Sequence, residues 1–547
     1  MSEMSTCESQ ALSSPGANIA ARGGLKPNGE EMRGRLIALA MGLALTTTAT
    51  VMAQSALAQG APDEVTIKDG ALKGVVAGDV VSFKGIPFAA PPVGPLRWTP
   101  PRKPSPWGGV RDASAFGASC LQSGPYFAPG PQSEDCLTVN VFEPVAHTPG
   151  GKLPVMVWIY GGGFVGGGSN MYPGNSFAHD GVVMVSLNYR LGRLGWFAHP
   201  GLTQEAAGGG TGDFGLMDQI AALKWVKANI ASFGGDPDNV TIFGESAGGM
   251  SVNYLLISPK ARGLFNKAIS ESGFGRTPGR PLAMAEKLGA DFAAANGITG
   301  DDKAQVAALR ALPADVLMKP AAGLDAPDAP TPIVDGALVP ETVEQAFAEG
   351  KQAPVPFILG ANSYEASLFG RVREHPEVTL DALGDRKDAA VKLFGDGDPA
   401  AAASLIWTEN AIVEPDRYLA RQEAKAGDKA YVYYFSYVPA AIRATSPGVF
   451  HGGEIAYVFK RLSPVEIKRG AYTIPAATPD DQKVSDAIHA YWVAFAKTGS
   501  PDSAGGPEWP AYTPQNDAAI EFGNDGVVVR DHFKKLQLDL IEAGRPK

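Results

Sequence analysis

Thr241-Ile-Phe-Gly-Glu-Ser-Ala-Gly-Gly249 is the stretch on which the reading of this 547-residue chain turns. The β-branched and aromatic run Val240-Thr-Ile-Phe243 has strand character, and Ala247-Gly-Gly-Met-Ser-Val-Asn-Tyr-Leu-Leu-Ile257 has the composition of a buried helix. Between them, Gly244-Glu245-Ser246-Ala247-Gly248 places glycine two before and two after a serine. A strand that turns abruptly into a helix leaves no room for side chains at those two positions, and it lifts the serine into a strained, exposed conformation. With 66 glycines in the chain, a chance G-x-S-x-G has a probability of roughly a third to a half, so five residues alone decide little. The strand before them and the helix after them make the pattern a nucleophile elbow, with Ser246 Oγ at its tip.

Outward from the elbow, Lys152-Leu-Pro-Val-Met-Val-Trp-Ile-Tyr160 and Val182-Val-Met-Val-Ser-Leu-Asn-Tyr189 are unbroken apolar runs of strand length. Continuous rather than alternating hydrophobicity suits a parallel sheet covered on both faces. Leu216 to Ile230 carries apolar residues at helical spacing, so strand, helix and strand follow one another as in a βαβ unit. Val355 to Leu359 and Tyr431 to Tyr437 are further strand-like runs, each followed by a polar loop. The alanine- and charge-rich regions 281–315 and 380–426 read as helical insertions. Phe83 to Arg97, rich in proline, reads as a surface wrap without regular helix. The expected fold class is α/β: a large, mostly parallel central sheet with helices on both faces and helical insertions.

The balance of 45% hydrophobic and 19% charged residues is that of a globular protein with a large core. Length alone suggests about three domains, yet no linker or charge block cuts the middle of the chain, so residues 59–547 are expected to form one. A net charge of -10 argues against nucleic acid or an anionic membrane surface as partner. Residues 1–31 are polar and without apolar periodicity, and read as disordered or as sequence upstream of the true start at Met32. From there Arg33 and Arg35, the apolar stretch Leu36 to Leu45, and Ala56-Leu57-Ala58 before Gln59 have the order of a cleaved signal peptide. That stretch is too short and too threonine-rich for a stable membrane span. Export to the periplasm or medium is therefore expected. Of three cysteines, Cys7 falls in the segment expected to be lost. Cys120 and Cys136 are close enough in sequence to close a short loop, which stabilises a fold by about 3 kcal/mol in the chain-entropy model; the alternative is two buried thiols.

A serine hydroxyl is a poor nucleophile at neutral pH and needs a base, an orienting acid and a site for the oxyanion. Of the seven histidines, His451 lies in the glycine-flexible loop Gly448-Val-Phe-His-Gly-Gly-Glu454 after a β-rich segment. His147, His179, His199, His375, His489 and His532 lie in surface-like, helical or terminal settings. For the acid, Glu365 follows the buried run ending at Leu359, and the order Ser, acid, His fits the α/β-hydrolase arrangement; Asp335, in Ile333-Val-Asp-Gly336, is its rival. Gly161-Gly162-Gly163-Phe164 offers backbone N–H groups free of side chains, as an oxyanion hole requires, or is simply a flexible loop.

Several ordered segments resemble the type-B carboxylesterases of the carboxylesterase/cholinesterase family, over nearly the whole length from about Val65 to Asp531. They are Phe83 to Arg97, Glu134-Asp-Cys-Leu-Thr-Val-Asn140, Tyr160-Gly-Gly-Gly-Phe164, Asn188-Tyr-Arg-Leu-Gly192, the run from Gly215 through Gly249, and Trp492 to Pro501. The resemblance implies a serine esterase acting on small-molecule esters through an acyl-enzyme, with no metal or organic cofactor. It implies Ser246 as nucleophile, Glu365 as acid and His451 as base, with Gly162, Gly163 and Ala247 as oxyanion donors. It further implies a Cys120–Cys136 disulfide, and Glu245, Glu454 and Ser272 as supports of the triad. Family members usually have glycine where this chain has Ala366. Between Cys120 and Cys136 the tryptophan that holds choline in cholinesterases is missing; Tyr126 and Phe127 are the aromatic residues there. The family also contains non-catalytic adhesion members, which lost the serine retained here. An enzyme dedicated to one bulky ester or carbamate is the other alternative. Neither substrate nor oligomeric state is legible in these residues.

Overall fold

The apolar runs become the middle of an eleven-stranded sheet. The structure is a computed structural model that describes residues 63–545 apart from 123–127, 147–150, 320–325, 327, 396, 470–471 and 503–504. The segment read as a signal peptide, Cys7, Tyr126, Phe127 and His147 lie outside the described residues. In chain order the strands are β1 (Val75–Ala77), β2 (Val80–Pro87), β3 (Thr138–Pro144), β4 (Leu153–Ile159), β5 (Val183–Leu187), β6 (Gly235–Glu245), β7 (Lys267–Glu271), β8 (Phe357–Asn362), β9 (Ala430–Phe435), β10 (Ala519–Gly523) and β11 (Gly526–Arg530). Across the sheet they run β11-β10-β9-β8-β7-β6-β4-β5-β3-β2-β1. From β5 to β10 neighbouring strands are parallel, while β3, β2, β1 and β11 are added antiparallel at the edges.

The burial explains the composition. Val155, Met156, Val157, Trp158 and Ile159 of β4 have no solvent exposure on either face, and each such side chain removed from water contributes about 1.5–3 kcal/mol. Helix α1 (Phe214–Asn229) connects β5 to β6, and α2 (Ala247–Ile257) follows β6 at once. Because β5 and β6 flank β4 on opposite sides, the chain reverses its direction of travel across the sheet there. In parallel sheets the carboxyl ends of strands at such a reversal open a crevice for ligands. Arg190, just after β5, grips Asp218 of α1 through two side-chain hydrogen bonds of 2.8 Å with both groups buried, which fixes the loop leaving the sheet.

The insertions are helical as expected: Leu282–Ala295, Asp302–Ala311 and Ala314–Leu317 in the first region, and Lys387–Gly395, α3 (Pro399–Thr408) and α4 (Glu414–Ala426) in the second. One expectation needs correction. Phe83 to Pro87 is not a surface wrap but the end of β2, paired with β3 across a register shift, and Phe83 and Ile86 are fully buried. Pro87 is its last paired residue, opposite Thr138, and Pro91, Pro92 and Pro95 lie beyond the pairing, so the proline-rich composition hides the strand before them.

Glu143 on β3 is buried with neither carboxylate oxygen hydrogen-bonded, and burial pushes its pKa up to about 9. Between the ordinary carboxyl range and pH 9 the unfolded chain therefore releases a proton that the native one keeps, so stability falls as pH rises through that window. Glu143→Gln is expected to raise Tm, by more at pH 8 than at pH 5. Thermal melts at the two pH values check it; a smaller gain at pH 8 contradicts it.

Candidate active site

The elbow has the backbone its glycines imply. Ser246 sits at φ 58° and ψ -122° as the residue preceding α2, a region that non-glycine residues populate only under constraint. A Cβ on Gly244 would stand 2.5 Å from the Ile159 carbonyl oxygen at the end of β4, and one on Gly248 only 1.9 Å from it. Any side chain at either position would push β4 and α2 apart. The Ser246 N–H donates to the Glu271 carbonyl of β7 at 2.9 Å, which ties the elbow to the next strand.

The glycine run after β4 packs directly against the elbow. A Cβ on Gly161 would lie 2.9 Å from Ser246 Cβ, and one on Gly162, at φ 108°, only 2.3 Å from the Gly166 carbonyl. Among the described residues the N–H groups of Gly162, Gly163 and Ala247 donate no backbone hydrogen bond outside regular elements. Ala247 opens α2, so its N–H is one of the donors a helix N-terminus leaves over.

Glu365 and His451 come from the loops after β8 and β9, and those loops are laced together. Tyr364 N–H donates to the Val449 carbonyl at 2.8 Å, Val449 N–H to Ser363 Oγ at 2.9 Å, and His451 N–H to Ser367 Oγ at 2.8 Å. The result sets His451 Nδ1 2.5 Å from Glu365 Oε2. The other oxygen of Glu365 accepts from Asn362 N–H and Ser272 Oγ, each at 2.6 Å. Ala366, where glycine is usual, is buried, keeps an ordinary φ, and donates its N–H to Thr408 Oγ1. The methyl group is therefore accommodated without strain. Asp335 is not brought to this place: its oxygens accept backbone N–H groups of Ala337, Leu338 and Val339 in its own loop and of Thr211 from a distant one, as a clasp between the two. His199 caps a helix, and His489 bridges the Val458 carbonyl and Asp180.

His451 Nε2 is buried, makes no hydrogen bond, and lies 3.0 Å from Glu245 Oε1 without the alignment of one. Burial opposes a charge on this imidazole, but the Glu245 and Glu365 carboxylates outweigh it, and its pKa is pushed up to about 9. Burial, countered by His451 and reinforced by Glu365, pushes Glu245 up to about 7. Glu454 accepts from Asn362 Nδ2 and Glu271 from Trp492 Nε1, the latter at 2.7 Å. Burial raises both, Glu271 to about 8 and Glu454 well above the carboxylate range. Burial and the mutual repulsion of Glu245, Glu271 and Glu454 favour the protonated forms of these three carboxyls. Sequence reasoning missed Glu271 and its tryptophan partner. The available signal was a carboxylate ending the apolar strand Lys267–Glu271, where only a partnered or protonated acid is tolerated.

Cys120 and Cys136 are joined in a disulfide. Among the described residues no group of three His, Cys, Asp or Glu side chains is arranged to hold a metal ion, and no helix is long and apolar enough to cross a membrane. A cleft of about 730 Å³ near Pro376, Leu380 and Val391 contains none of these residues.

A serine elbow at a strand-order reversal, with a histidine–glutamate pair from the next strands' loops, defines an α/β-hydrolase. Comparison with known proteins narrows the class. The family model described as the carboxylesterase family matches residues 61–392 and 398–541, and the chain belongs to that family. It is 38% identical over 470 residues to the fumonisin B1 esterase of Sphingopyxis macrogoltabida, covering 81% of this chain and 84% of that protein. It is 39% identical over 473 residues to the para-nitrobenzyl esterase of Bacillus subtilis (strain 168), covering 82% and 92%. A solved structure of PNB esterase superposes with a TM-score of 0.73 at 33% identity, over 87% of this chain and 99% of that one. The chain is thus a carboxylic ester hydrolase.

Proposed function

We propose that Ser246, His451 and Glu365 form the catalytic triad of an exported esterase for small-molecule esters. The observation that carries this reading is the 2.5 Å contact of Glu365 with His451 Nδ1, while Nε2 lies beside Glu245, the residue before a serine held at positive φ. In the first half-reaction His451 Nε2 takes the Ser246 proton while Oγ attacks the ester carbonyl. The N–H groups of Gly162, Gly163 and Ala247 receive the oxyanion, and the C–O bond to the alcohol breaks as His451 returns the proton to it. Water repeats the sequence and releases the acid. The missing Ser246–His451 hydrogen bond is compatible with this role, since such contacts tighten in the substrate complex. Ser272 and Asn362 hold Glu365, and the Glu245 and Glu365 carboxylates favour the imidazolium formed in each step. A labelled organophosphate should add once per chain, on Ser246; labelling elsewhere removes the assignment.

The pH profile tests the carboxylate field. Only neutral imidazole is a base, so kcat/KM should fall as pH drops through the His451 pKa. With that pKa raised toward about 9 rather than left at 6.5, the acid limb should lie above pH 6.5. Glu245→Gln removes a carboxylate 3.0 Å from Nε2 and should move the limb to lower pH. An unchanged limb would deny Glu245 any role in tuning the base.

Export remains part of the proposal. The Cys120–Cys136 disulfide supports an oxidising compartment, as does the order of basic, apolar and small residues from Met32 to Ala58. Exported protein should begin near Gln59 and contain no free thiol. Intact-mass analysis after alkylation of the unreduced, denatured protein decides it, and recovery of Cys7 or of two alkylated thiols overturns it.

A further inference from the structure

One row of aromatic rings starts at the imidazole and leads away from it. The Phe274 ring lies 6.0 Å from the His451 ring and 6.3 Å from Trp407, and Trp407 lies 5.1 Å from Phe369. The row ends where the Arg371 guanidinium stands 5.7 Å from the Phe369 centroid. The rings come from separate segments: the turn after β7, helix α3, and the turn that begins at Glu365. All three are half-buried, so each keeps part of its surface open. Phe274 is moreover held at φ 49°, two residues after Ser272 at φ 51°. Backbone strain of this kind persists only where surrounding structure enforces it, and it collects at sites that position a ligand. A core alone would not require a phenylalanine in that conformation with its ring partly exposed.

We infer that this row seats the alcohol part of the substrate and selects esters of alcohols bearing two or more linked or fused aromatic rings. The inference rests on the triad assignment above and deepens it. In acylation the Ser246 Oγ–carbonyl bond forms, the carbonyl–alkoxy bond breaks, and the departing alkoxy oxygen takes the proton from His451 Nε2. That oxygen must therefore come within hydrogen-bond reach of the imidazole, about 3 Å, and a substituent extending from it along the His451 ring meets Phe274 first. One ring suffices to reach Phe274. A second is needed to reach Trp407, where edge-to-face contacts at centroid distances of about 4.5–7 Å are favourable.

Acetates of benzyl alcohol and 4-biphenylmethanol test this, because the two alkoxides have nearly the same leaving ability and differ by one ring. The biphenylmethyl ester should be favoured in kcat/KM by about tenfold, the size expected for one added ring contact. Trp407→Ala should bring that ratio close to one, and Trp407→Phe should restore part of it. The ratio is independent of the fraction of folded enzyme. In a control series with the extra ring on the acyl side, benzyl phenylacetate against benzyl 4-biphenylacetate, Trp407→Ala should leave the ratio alone. An alcohol-side ratio unchanged by Trp407→Ala, or a change confined to the acyl series, overturns this inference while leaving the triad intact. Failure of the wild-type chain to turn over any ester overturns the triad assignment and this inference with it.

Discussion

Ser246→Ala is expected to lower kcat for a p-nitrophenyl ester by about 10⁶, because the variant loses the acyl-enzyme route altogether and not one of its hydrogen bonds. A residual rate some 10³- to 10⁴-fold above water is compatible with oxyanion donors and binding alone. The fold should survive, since Ser246 is half-buried and its backbone N–H bond to Glu271 is kept. Alanine tolerates the elbow's positive φ no better than serine, so a small loss of stability is expected. Single-turnover hydrolysis of the purified variant, beside circular dichroism, reads both. A folded variant with more than a hundredth of the wild-type kcat would reassign the nucleophile.

Glu365→Gln should cost about 10⁴ in kcat, because an amide in place of the carboxylate favours the wrong imidazole tautomer and withdraws the charge facing the imidazolium. Asp335→Asn is the matched comparison. Asp335 accepts four backbone N–H groups and lies away from His451, so its loss should lower stability and leave kcat per titrated site within a few-fold. The reverse ranking of the two variants would overturn the triad. Stability should separate them as well: Glu365 holds Asn362 N–H, Ser272 Oγ and His451 together, so Glu365→Gln also loosens the two loops it joins.

These two outcomes trace how differently the site's parts were written in the sequence. Ser246 was legible because an elbow imposes a local steric rule: the 1.9 Å clearance at Gly248 admits only glycine, and glycine spacing is visible in one dimension. The acid was not legible to the same degree. Glu365 and Asp335 both follow short apolar runs, and only the pairing of β8 with β9 brings one of them beside His451. The family resemblance, not spacing, made that choice in advance. His451 lies 86 residues from Glu365, and no periodicity spans such a gap.

What the sequence determined by itself was whatever depends on neighbours along the chain. Unbroken apolar runs gave the parallel strands, helical spacing gave α1, and the glycines around Ser246 gave the turn. The tertiary structure alone decided which loops meet. It placed Phe83 and Ile86 inside the sheet despite the prolines that follow them, because pairing with β3 outweighs local composition. It brought Glu245 and Glu365 against one imidazole and buried Glu271 and Glu454 in the same cluster, where burial raises Glu245, Glu271 and Glu454. It also lined up Phe274, Trp407 and Phe369, which are far apart in sequence. Contacts of this kind depend on distances across the sheet, and the order of residues along a chain does not fix distances until the chain has folded.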